Sequence, residues 1–179
     1  ERSVERRLHG RWLMGFVGGD LQGEFMARVR GVDPRRCLVV PVDVGKWSAM
    51  ALVADHHGEV VVAPFSFDLD EPGVRWLVSV IKGASSDRDA VVCRVGVESA
   101  GHYHRTLVAR LRAEAAEVVE LNPASVKQAR AQQLLGRLKS DERDLGAMAE
   151  LLVRGAGRSP QIRDEAMAEL LRDCKSVGN

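Results

Sequence analysis

The chain has 179 residues, of which 45% are hydrophobic, 28% charged and 4% aromatic, with a formal net charge of +1. That length supports one domain with a sizeable core resting on Val, Leu, Ala and Met, and the near-neutral sum does not mark a chain that holds polyanions by bulk charge. The scattered cysteines Cys37, Cys93 and Cys174 argue against a disulfide framework or zinc cluster and for a reducing cytosol, the N-terminus lacks a secretory pattern, and no apolar run of ~18 residues is present to span a membrane.

Residues 1–36 carry Arg2, Arg6, Arg7, Arg11, Arg28, Arg30, Arg35 and Arg36 among many glycines, with irregular apolar spacing. They read as a basic, poorly ordered extension, with a nucleic-acid arm as the functional alternative. From Cys37 the pattern sharpens. Residues 37–45 form a short apolar run closed by Gly45, the mark of a buried strand, and residues 48–54 form a second. The Asp55-His56-His57-Gly58 stretch is a turn signal with exposed histidines before a third strand over 59–63. Asp70 is placed to cap a helix whose apolar stripe is Val74, Leu77, Val78 and Ile81. Residues 90–97 read as another buried strand, 104–117 as an amphipathic helix, and 118–121 as a strand stopped by Asn122-Pro123. Helices over about 124–138, 140–154 and 161–174 complete the chain. The order β-β-β-α-β-α-β-α-α is that of an α/β, RNase H-like (RuvC-like) mixed sheet: three antiparallel strands, then alternating helices and strands. The expected division is an extension over 1–36, a domain over 37–158 and a helical tail over 159–179.

Four acids stand out within that order. Asp43 lies between Val42 and Val44 in an apolar strand, where an isolated carboxylate is costly to bury, so it must face a cleft, a cation or a hydrogen-bonding partner. Taken singly it is better explained as a strand-end Asp bonded to a turn. Gly45 after it allows backbone or ligand to approach. Glu98 closes the second buried strand in the same way, and ligands of such sheets gather at the carboxyl ends of the strands. In the helix from Ser140, the buried stripe of Leu145, Met148 and Leu152 extends back to Asp141, and Asp144 lies three residues on, near the same face. An N-terminal Ser140 cap and a helix dipole explain Asp141 and Glu142, but not Asp144 on the inner face. Two inward carboxylates repel unless a cation lies between them. Hard oxygen donors without Cys or clustered His point to Mg²⁺ or Mn²⁺, and such sites commonly hold two ions ~4 Å apart in phosphodiester chemistry.

Lys127, Arg130, Arg137 and Lys139 form an acid-free stretch leading to the Asp141 helix, suited to a nucleic-acid backbone or simply to a solvated helix face. His102 and His104, at a strand-to-helix junction, suit capping, phosphate contact or packing better than zinc.

Val42-Asp-Val-Gly-Lys-Trp47, Val97-Glu-Ser-Ala-Gly-His-Tyr-His104, Leu121-Asn-Pro123 and Leu138-Lys-Ser-Asp-Glu-Arg-Asp-Leu-Gly-Ala147, taken in that order, resemble the N-terminal half of the DEDD transposases of the insertion sequence 110 family. The likeness runs over roughly residues 37–160. It implies a RuvC-like catalytic domain with Asp43, Glu98, Asp141 and Asp144 as its acids, strand cleavage and exchange on DNA, and a structured guide RNA as partner. It also implies a homo-oligomer at full length and a later domain that supplies a nucleophilic serine. Residues 162–179 leave the resemblance, so the chain is expected to stop short of that domain. A catalytically incomplete nucleic-acid-binding or assembly module is the competing reading, and a Holliday-junction nuclease would show similar acids. An actin-like or sugar-kinase-like ATPase also begins with an Asp-x-Gly strand, but the phosphate loop and adenosine motif it needs are not found.

Overall fold

The computed structural model describes residues 20–99, 103–114, 117–132 and 140–160, with only the backbone of Ser140 and Asp141. The expected strand and helix order from residue 37 onward is the order found. Strands β1 (Cys37–Val44), β2 (Ser48–Asp55) and β3 (Val60–Asp68) form an antiparallel meander. Helix α2 (Glu71–Asp87) leads to strand β4 (Val92–Glu98), helix α3 (Tyr103–Ala113) to strand β5 (Glu117–Leu121), and helices α4 (Pro123–Gln132) and α5 (Ser140–Val153) follow. The sheet order is β3-β2-β1-β4-β5, with β1, β4 and β5 parallel. The helix expected over 161–174 lies outside the described residues.

Strand alternation divides the core into two layers. Val40, Val42, Val95 and Val97 face one side, packed with Leu77 and Ile81 of α2 and Leu107 and Leu111 of α3. Val39, Val119 and Leu121 face the other side, packed with Val126 of α4 and Leu145, Met148 and Leu152 of α5. The α5 stripe expected from 3–4 spacing is therefore the buried stripe. Gly96 is what lets α5 lie close to the sheet, because a Cβ there would stand 2.5 Å from Leu152 Cδ2.

Local chemistry explains several element ends. Asp70 caps α2 as expected, accepting from the Gly73 amide at 2.8 Å. Asp55 Oδ1 accepts from the amides of His57 and Glu59, closing the β2–β3 turn, where Gly58 takes a φ of +85°. Strand β3 runs past the expected end at residue 63 because Pro64, which has no N–H to give, lies on an edge strand where one ladder bond can be spared. On the opposite edge, the Glu120 and Arg158 backbones exchange hydrogen bonds of 2.9 and 3.0 Å, extending the sheet beyond β5 by one bridge.

Two expectations meet a different structure. Within the stretch expected to be a poorly ordered extension, the described part from Asp20 carries helix α1 (Leu21–Val29), capped by Asp20. Phe25 and Val29 of α1 are buried against Cys37 and Val92. The reason is Arg94, a buried residue of β4 whose guanidinium lies 4.3 Å from the Phe25 ring centroid and donates to the carbonyls of Gly155 and Ala156. His56, expected to be simply exposed, is half-buried, with Nε2 3.0 Å from the Val153 carbonyl and its ring against Phe25. His57 is exposed.

Candidate active site

The parallel ladder between β1 and β4 pairs Val42 with Val97, so Asp43 and Glu98 are each one residue beyond that pair, at the carboxyl ends of neighbouring central strands. Alternation places both on the face covered by α5, since their neighbours Val42 and Val97 belong to the opposite layer. The ends of both strands are held. The Gly45 amide donates to the Ser48 carbonyl at 2.9 Å, and a Cβ at Gly45 would lie 2.8 Å from that oxygen, so this glycine serves the tight β1–β2 connection. Beyond Glu98, the Ser99 amide and hydroxyl both donate to the Leu121 carbonyl, at 3.0 and 3.2 Å.

Helix α5 brings the third acid. Asp144 precedes the buried Leu145 and keeps 23% of its side chain exposed. Its nearness to the sheet acids is electrostatic as well as topological. Burial raises the Glu98 carboxyl above its ordinary range, the negative charges of Asp43 and Asp144 raise it further, and Arg130 pulls it back. Three carboxylates from β1, β4 and α5 thus share one field at one sheet edge. Asp141 is in the first turn of α5; its side chain lies outside the described residues.

Arg130 of α4 is tied directly to this group. Its Nη1 donates to both carboxylate oxygens of Asp144, at 2.8 and 3.1 Å. With 43% of the Arg130 side chain exposed, such a pair contributes only about 0.2–1 kcal/mol. Lys127 is exposed on the same helix, and Arg137 and Lys139 lie outside the described residues. The sequence marked Arg130 as a phosphate contact and missed its bond to Asp144, because the two are 14 residues apart on separate helices.

As a donor set, hard carboxylate oxygens from three elements are what Mg²⁺ or Mn²⁺ takes. In the geometry at hand, no group of three or more His, Cys, Asp and Glu among the described residues stands close enough to hold a metal ion. Asp144 is turned to Arg130 instead, so the residues suit the ion by chemistry and would have to close on it. His104 serves packing: it is buried in α3 with Nε2 3.3 Å from the buried Glu120, which also meets Arg158. A cavity of about 280 Å³ lined by Val74, Arg75, Val78, Lys82 and Arg110 lies between α2 and α3, on the face away from the acids. Lys82 and Arg110 are paired there with Glu114 and Glu71.

A mixed five-stranded sheet in this order, clasped by helices on both faces and carrying acids at the carboxyl ends of its parallel strands, defines an RNase H-like domain. The model of the DEDD transposases of insertion sequence 110 matches the chain over residues 40–176. The chain belongs to this transposase family. The match also corrects the expectation that residues 162–179 leave the family pattern, since it continues to residue 176.

No curated protein matches the chain. Among solved structures, it is similar to a Ppx/GppA family protein of Aquifex aeolicus, with 13% identity, a TM-score of 0.34, and coverage of 53% of this chain and 39% of that one. An exopolyphosphatase from Cytophaga hutchinsonii gives 13% identity, a TM-score of 0.36 and coverage of 55% and 39%. The ethanolamine utilization protein EutJ from Carboxydothermus hydrogenoformans gives 18%, 0.34, and 51% and 39%. The chain thus spans 39% of the length of each of these structures, and at such values the likeness says nothing of chemistry. No helix among the described residues is long and apolar enough to cross a membrane.

Proposed function

We propose that this domain cleaves and exchanges DNA strands in transposition, using a divalent metal held by Asp43, Glu98, Asp141 and Asp144. The observation that carries the reading is the placement of Asp43 and Glu98 side by side on parallel strands, with Asp144 close enough to raise the Glu98 carboxyl. Like charges gathered at one edge repel one another and favour a cation there. Bound Mg²⁺ or Mn²⁺, as one ion or a pair, would supply activation of an attacking oxygen and neutralisation of a leaving oxygen at a phosphodiester. The chain's own residues do the rest. Asp43 and Glu98 give fixed oxygens on rigid strands, α5 brings Asp144 to the edge, and exposed Lys127 and Arg130 offer contacts to the DNA backbone. Partnership with a structured guide RNA and assembly into a homo-oligomer rest on the family resemblance.

The test is Mn²⁺ binding by calorimetry and metal-dependent nicking of supercoiled DNA with Asp43→Asn and Asp141→Asn. Loss of both properties in both variants is expected, and unchanged binding would overturn the assignment. A non-catalytic nucleic-acid-binding module is the second reading, favoured by the Arg130–Asp144 pairing, which occupies a carboxylate that metal would need. Tight binding of structured RNA in EDTA, with no nicking under any metal, would select it.

A further inference from the structure

We propose that Arg130 is a built-in counter-cation: it holds Asp144 while the site is empty and passes to a nucleic-acid phosphate when a divalent ion takes the carboxylate. This rests on the metal reading above and deepens it, since it makes metal loading and backbone grip one exchange. Both oxygens of Asp144 accept from the single Nη1 of Arg130, so an ion arriving at Asp144 must displace the guanidinium or share the carboxylate with it. Sharing places two cations on one group, and the exposed side of Arg130 leaves it free to swing away.

Helix α4 itself stays anchored during such a swing. Val126 and Ala129 are buried, and the side chain of Asn122 accepts from the Ala124 amide at 2.8 Å ahead of the helix. Only the terminal bonds of Arg130 need rotate. The displaced guanidinium then stands beside a site that has gained positive charge, and the ligand that suits it there is an anion. A phosphodiester matches its planar fork, which is why arginine rather than lysine fits the part. Exchange of this kind couples two ligands, and the coupling is reciprocal: metal frees Arg130 for phosphate, and phosphate frees Asp144 for metal. An ordinary surface ion pair would couple nothing.

The experiment is Mn²⁺ titration calorimetry on the full chain without nucleic acid, comparing wild type, Arg130→Gln and Arg130→Lys, each with and without Asp43→Asn. Arg130→Gln is expected to bind Mn²⁺ about 1.5- to fivefold more tightly, the equivalent of losing one partly exposed ion pair. Arg130→Lys is expected to fall between it and wild type, and Asp43→Asn to abolish binding in every background. In parallel, wild type is expected to hold a short DNA duplex more tightly in Ca²⁺ than in EDTA, with most of that gain missing from Arg130→Gln. Equal or weaker Mn²⁺ binding by Arg130→Gln overturns the exchange while leaving the metal site standing. Mn²⁺ binding that survives Asp43→Asn places the ion elsewhere and also overturns it. If neither wild type nor Arg130→Gln binds Mn²⁺, the metal reading falls and the exchange falls with it.

Discussion

Asp43 and Glu98 stand side by side because Val42 and Val97, the residues just before them, are partners in the parallel β1–β4 ladder. Their distance is set by strand spacing rather than by side-chain choice. Strand pairing keeps their backbones adjacent, and the negative charge of Asp43 is felt at Glu98.

That repulsion has a pH signature. Burial, then Asp43, then Asp144 raise the Glu98 carboxyl, with partial relief from Arg130. A carboxyl raised on folding contributes stability that is fully present below its unfolded value of about 4.3 and is lost as pH rises through the folded value. In EDTA, wild type is therefore expected to lose stability on going from mildly acidic to neutral pH. Glu98→Gln should remove that component and melt a few degrees higher than wild type near neutrality. A lower neutral melting point for Glu98→Gln would show that the charge is stabilising as it stands.

Divalent ions should reverse the sign of the same effect. With Mn²⁺ at about 100 times its dissociation constant, wild type should gain about 2.7 kcal/mol of unfolding free energy. Asp43→Asn and Asp144→Asn should gain little or nothing, as read by thermal melts with and without the ion. Equal gains in all three proteins would put the ion at some other site.

Gly96 is expected to be intolerant although it lies in a strand interior and touches no ligand. The Cβ of Gly96→Ala would meet Leu152 at 2.5 Å, and overpacking of this kind costs about 1–3 kcal/mol. Relief requires Leu152 to repack or α5 to lift, and a lifted α5 carries Asp144 away from Glu98, so Mn²⁺ affinity is expected to fall along with stability. Adding Leu152→Ala to Gly96→Ala should cost less than the sum of the two single changes. Strict additivity would mean that the two residues do not press on each other.

Phe25→Ala tests whether α1 belongs to the domain. Phe25 is buried under Arg94 and beside His56, and truncating such a ring costs about 3–5 kcal/mol. A loss below about 1 kcal/mol, within the range of a surface substitution, would return α1 to the status of an appendage.

The central strands and the α5 stripe could be read from sequence because period-2 and 3–4 apolar patterns report directly which face is buried. Asp43 and Glu98 are visible as polar interruptions closing such patterns, and the β1–β4 register sets them at the ends of neighbouring strands. What stayed hidden was whatever depends on partners distant in the chain. Helix α1 is short and buries only Phe25 and Val29; its docking is decided by Arg94 in β4 and the carbonyls near Gly155. His56 read as a turn residue because Val153, its partner, is 97 positions away. The third strand, expected over residues 59–63, runs on to Asp68 because it lies at the sheet edge.

Those two sheet edges also bear on how copies of the protein can meet. On one side the edge strand β3 carries Pro64, which has no amide to give, and on the other the Arg158 backbone already occupies Glu120. Among the described residues, a proline on one border and a bridged Glu120 on the other both work against open-ended strand pairing.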